Sequence, residues 1–102
     1  MDKSEALNIT KNFGLLIKDK FNPCKVFLFG SYANNTFNEN SDIDVAVIVK
    51  TLDGDYLNNL KSLYKLRKQI NLLIEPVLFV EGKDPSGFLE YIEKNGELAF
   101  IS

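Results

Sequence analysis

Residues 30–44 read GSYANNTFNENSDID: the pair Gly30-Ser31, ten further residues, then Asp42 and Asp44 with a single residue between them. The apolar run KVFLF (25–29) precedes this stretch and VAVIV (45–49) follows it. Both runs have strand length, so the polar stretch connects two strands. A connection that carries paired carboxylates between buried strands is a place where a metal site can form.

Working outward toward the N-terminus, Asp2 and Glu5 have capping-box spacing, and Leu7, Ile9, Phe13, Leu16, Ile17 and Phe21 recur at helical intervals. They predict a helix over about residues 3–20, stopped by Asn22-Pro23. Lys25 to Phe29 is the first strand and ends at Gly30. A helical turn from Ser31 through Ala33 leads into the Asn-rich loop 34–41, and Asp42 to Val49 forms the second strand. Its unbroken apolar character beyond Asp44 predicts burial on both faces at the centre of a sheet.

Toward the C-terminus, Asp53, Gly54 and Asp55 mark a turn and a helix cap. Tyr56, Leu57, Leu60, Leu63, Tyr64, Arg67 and Ile70 then mark a second amphipathic helix, with Lys61, Lys65, Arg67 and Lys68 read as its solvated face. Leu72 to Val80 is a third strand, placed at an edge by Pro76. Ser86 caps a last helix through Asn95, which Gly96 ends in the left-handed conformation. The order is α-β-α-β-α-β-α, an α/β (α+β) fold with a three-stranded mixed sheet, and residues 1–102 are expected to form a single domain.

The polar residues dictate the sheet. Gly30 and Ser31 close the first strand while Asp42 and Asp44 open the second, so they meet only if these strands are antiparallel. Glu75 begins the third strand and joins them only if strands two and three are parallel, with the long helix as a right-handed crossover. Asp42 and Asp44 then share one face, about 7 Å apart along the strand, and Ile43 takes the other.

Carboxylates so arranged can share hard cations of the Mg²⁺ type, and such a site implies a phosphate ligand. Gly30 lets a phosphate approach the backbone, and Ser31 can donate to it. Plainer readings stand beside these. Asp42 can serve only turn chemistry with Ser41; Glu75 can be a solvated edge residue; Gly30 can be a turn glycine; Tyr32 can be packing or a wall beside a ligand. Asp44 is harder to explain without a cationic partner, because it sits inside an apolar run.

Composition narrows the function classes. A chain 45% hydrophobic and 25% charged is ordinary globular protein rather than disordered, and a net charge of −2 speaks against gripping a nucleic acid backbone. With no histidine, His-dependent triads and zinc sites are excluded, and the lone Cys24 is read as core rather than reactive. Neither a signal peptide nor a membrane span is expected, which makes the cytoplasm the default.

Gly30-Ser31, ten residues, Asp42-x-Asp44 and then Glu75 in an apolar strand resembles the minimal nucleotidyltransferase (MNT) family of the DNA polymerase β superfamily. Ile74-Glu75-Pro76 and Gly87-Phe88-Leu89 are similar to small prokaryotic members, so the resemblance covers nearly the whole chain. It implies a nucleotidyltransferase fold, two Mg²⁺ ions, and ATP or another nucleoside triphosphate as donor of a nucleoside monophosphate to a hydroxyl.

By position, it implies Gly30 and Ser31 on the triphosphate and Asp42 and Asp44 bridging the metals. Glu75 would complete one metal site and help deprotonate the acceptor. Many small members are antitoxins encoded beside a HEPN-domain ribonuclease toxin, and some adenylylate a tyrosine of that partner. The chain departs from the family where Ala33-Asn34-Asn35 replaces the common Ala-Arg-Gly. Asn35 can tolerate a left-handed backbone, but a cation near the phosphates is lost. An adenylylating enzyme and a non-catalytic antitoxin that neutralises by contact both remain open. Transfer to a small molecule is disfavoured, because no second domain supplies an acceptor pocket.

Overall fold

The computed structural model describes residues 1–102. Helix α1 (Lys3–Phe21) starts where the Asp2 carboxylate accepts the Glu5 amide at 2.8 Å and stops at Asn22, whose φ is +47°. Strands β1 (Lys25–Phe29) and β2 (Ile43–Val49) follow, then α2 (Tyr56–Leu66), a 3₁₀ turn (Arg67–Gln69), β3 (Ile74–Val80), α3 (Phe88–Asn95) and β4 (Glu97–Ile101). No helix is long and apolar enough to cross a membrane.

The sheet has four strands in the order β3-β2-β1-β4, with β1 antiparallel to β2 and to β4, and β2 parallel to β3. The antiparallel and parallel neighbours of β2 are those that convergence of the acidic residues demands. The expected three strands are corrected to four. KVFLF is buried on its three central positions and therefore needs a neighbour on each side, and β4 supplies the second.

One face of the sheet carries Val26, Leu28, Ile43, Val45, Val47, Val49, Ile74 and Leu78, packed under α1 (Ala6, Phe13, Ile17) and α2 (Leu63). The other carries Phe27, Ala46 and Ile48 under Leu89 and Ile92 of α3. Alternation along β2 puts Asp44 on this second, less covered face.

As expected, β3 is an edge. The Ile74 and Leu78 carbonyls accept from Arg67 Nη1 at 2.9 Å and Tyr56 Oη at 2.7 Å, so α2 and the 3₁₀ turn that follows it occupy the free side of the strand. Pro76 shares their alternation, and its missing N–H is on the side where no ladder partner exists.

Two end signals act differently from their reading. Asp84, not Ser86, does most of the capping of α3, accepting the Leu89 and Glu90 amides at 3.0 Å each, and the helix begins only at Phe88. Gly96 is extended (φ −84°) rather than left-handed. A Cβ there would lie 2.7 Å from the Ile92 carbonyl and 2.9 Å from that of Leu28, so glycine permits β4 to leave the helix tight against β1. Asp84→Ala is expected to cost about 1 kcal/mol, read as a fall of roughly 4–8 °C in melting temperature.

Candidate active site

Gly30 closes β1 with φ +73°, and the chain then turns helically: the Asn34 amide bonds to the Gly30 carbonyl at 3.0 Å and the Thr36 amide to that of Ser31 at 2.9 Å. Asn35 has φ +58°, the left-handed backbone its side chain tolerates. Tyr32 is buried and stacks on Phe37 with centroids 4.6 Å apart, so its role is packing. In the following loop Ser41 Oγ accepts the Asn38 amide at 2.9 Å and Asn38 Oδ1 accepts that of Asn40 at 2.8 Å. Turn chemistry is thus supplied by Ser41 and Asn38, and the exposed Asp42 carboxylate is free of it.

Phe29, Asp44 and Glu75 are register partners across β1, β2 and β3, and Gly30 follows directly beside Asp44. A Cβ on Gly30 would collide with Asp44 Oδ2 and stand 2.9 Å from its Cγ. The glycine therefore makes room for that carboxylate, which is more than a turn requires. Burial, then the charge of Asp42, then that of Glu75, push the Asp44 pKa from 3.8 up to about 6. Asp42, Asp44 and Glu75 thus share one electrostatic patch.

The three ion pairs of the structure, Lys3–Glu97, Lys25–Glu93 and Lys94–Glu90, all lie elsewhere. The carboxylates are not drawn together into a ready ligand cage. Hard oxygen donors that repel one another, none of them ion-paired to a protein cation, nevertheless match the donor chemistry of Mg²⁺.

This order of elements, with acidic side chains collected at one end of a mixed sheet, has known counterparts. A profile of the family described as "Polymerase beta, Nucleotidyltransferase" matches residues 12–102. The chain belongs to this family. Two relatives come from Methanocaldococcus jannaschii. "Putative protein adenylyltransferase MJ0141" is 32% identical over 100 residues, covering 90% of this chain and 96% of the relative. "Putative protein adenylyltransferase MJ0604" is 41% identical over 79 residues, covering 74% and 75%. The crystal structure of "a putative nucleotidyltransferase" from Sulfolobus solfataricus shares the fold, with a TM-score of 0.68 at 19% identity over 97% of this chain and 83% of that one. The protein is accordingly a nucleotidyltransferase enzyme, whose substrate is a nucleotide.

Two residues of this nucleotidyltransferase escaped the sequence reading, which placed them on an amphipathic helix. Tyr64 Oη donates to Glu75 Oε2 at 3.1 Å, and burial together with this bond raises its pKa. Arg67, read as part of a solvated basic face, instead lays its guanidinium 4.8 Å from the Tyr64 ring centroid and donates to the Leu72 and Ile74 carbonyls. Their i, i+3 spacing was the available signal, since it places both on one side of α2. Cys24, read as core, lies at the border of the smaller cluster with Sγ 3.2 Å from Glu81 Oε2, and burial raises its pKa.

Proposed function

We propose that residues 1–102 act as one catalytic domain that transfers AMP from ATP to a tyrosine hydroxyl of a HEPN-domain toxin, silencing it as its antitoxin. The observation that carries this reading is the shared patch of Asp42, Asp44 and Glu75, three carboxylates none of which is ion-paired to a protein cation. Transfer to protein is supported by the names of the two M. jannaschii relatives, both protein adenylyltransferases by description.

Asp42 and Asp44 would hold two Mg²⁺ ions and Glu75 would complete one of the sites. When bound, the ions supply the positive charge that lets a nucleophile approach a polyphosphate. Gly30 leaves the backbone open to the triphosphate and Ser31 donates to its oxygens. Glu75 takes the proton of the acceptor hydroxyl as its oxygen bonds to the α-phosphorus and pyrophosphate departs. None of these steps requires histidine.

The test is to incubate the protein with α-labelled ATP, Mg²⁺ and the HEPN-domain product of the neighbouring gene. AMP on a partner tyrosine is the expected result. The second reading, neutralisation by contact, is favoured by the absence of an arginine at Asn34. It would stand if the partner were silenced equally by Asp44→Asn protein with no label transferred.

A further inference from the structure

A hydroxyl that is to attack phosphorus needs a base within hydrogen-bond reach. The fold already places one such hydroxyl on Glu75, the base of the proposed reaction: Tyr64 Oη, at 3.1 Å from Oε2.

Arg67 backs the ring, and its Nη1 is fixed to the Leu72 and Ile74 carbonyls at 3.2 and 2.9 Å, the second on the strand that carries Glu75. Tyr64 is only partly buried, so solvent and ligands reach it. The other three of the four tyrosines are engaged differently. Tyr56 gives its hydroxyl to the Leu78 carbonyl at 2.7 Å, Tyr32 is buried against Phe37, and Tyr91 stacks on Phe88 in α3. Tyr64 alone presents a phenol to the site.

We propose that Tyr64 is a self-modification site, to which the enzyme transfers AMP from ATP when no partner hydroxyl occupies the position beside Glu75. This rests on the function proposed above. The bond from Tyr64 Oη to the α-phosphorus forms, the bond from that phosphorus to the bridging oxygen of the β-phosphate breaks, and pyrophosphate carries away the electron pair. The phenolic proton passes to Glu75 Oε2.

The product is a phosphodiester standing in the acceptor position, with one negative charge beside Asp42 and Glu75. A modified chain is therefore closed to other acceptors. A partner tyrosine must displace Tyr64 from Glu75, so self-modification and partner modification compete.

The full chain is incubated with α-labelled ATP and Mg²⁺, alone and with the HEPN-domain protein, then digested and mapped by mass spectrometry. Without partner, the adduct is expected on the peptide containing Tyr64, lost in Y64F and kept in Y56F. The wild-type map reads the position directly, independent of how any variant folds. The intact mass of protein purified from ATP-replete cells provides a readout outside the assay, and an AMP-bearing species is expected there too. A chain that stays unlabelled when incubated alone, while the partner becomes labelled in the mixed reaction, overturns this inference and leaves the proposed function standing. Label on the chain that maps elsewhere and persists in Y64F also overturns it. No label on either protein overturns both.

Discussion

Asp44→Asn is expected to stabilise the metal-free protein above pH 7 while abolishing nucleotidyl transfer. The carboxyl titrates at 3.8 when unperturbed and at about 6 in the fold, so the folded state holds its proton more tightly than the unfolded one. Stability is then lost as pH rises from about 4 through 6, and the loss persists at higher pH. Asparagine carries no charge and escapes it. Melting curves in chelator should coincide below pH 4 and separate above 6, with the variant higher.

Solvent around the half-buried carboxylate screens part of the effect, leaving about 1 kcal/mol, or roughly 4–8 °C. Mg²⁺ with ATP should raise the wild-type melting temperature and leave the variant unmoved. On the proposed function Asp44 is a ligand to the catalytic cation, and its loss removes several kcal/mol of charge stabilisation, so transfer should fall at least about 10³-fold. A variant that turns over normally, or melting curves separated by the same amount at every pH, would remove Asp44 from the site.

Much of this was legible because local and long-range signals agree. The period-2 and period-3.6 patterns locate three helices and three strands, and the demand that Gly30, Asp44 and Glu75 meet sets both neighbours of β2. What was missed lacks a local cause. The ELAFI segment of β4 is short and half exposed, and its pairing with β1 joins residues some seventy positions apart, so only tertiary context makes it a strand. The clue lay in β1, since the argument from two-faced burial that centred β2 applies equally to KVFLF.

Tyr64 and Arg67 were hidden for another reason. Helical periodicity states which side of α2 they occupy and Pro76 marks β3 as an edge, but neither states that an arginine reaches the free carbonyls of that edge. Local sequence rules are broken at the candidate site: Asp44 interrupts a buried run and Gly30 adopts φ +73° beside it.

That pairing makes Gly30→Ala a small change expected to damage both the fold and the site. Alanine at φ +73° costs about 1–2 kcal/mol from backbone sterics alone, equivalent to roughly 4–16 °C. Its Cβ would also occupy the space of the Asp44 carboxylate, with Cγ at 2.9 Å and the Asp44 Cβ at 3.2 Å. Asp44 has only a short side chain with which to yield, so it must rotate away from the patch it shares with Asp42 and Glu75. Activity should fall as far as in Asp44→Asn, but with stability lowered instead of raised, and this opposite sign separates the two variants.

A double-mutant cycle isolates the contact. In an Asp44→Ala background the Cγ and carboxylate oxygens are gone, so Gly30→Ala should cost less there by about 1 kcal/mol, a coupling energy typical of touching residues. Equal costs in both backgrounds would mean that Gly30 serves only its own backbone conformation. The site would then owe its room to something other than the missing side chain.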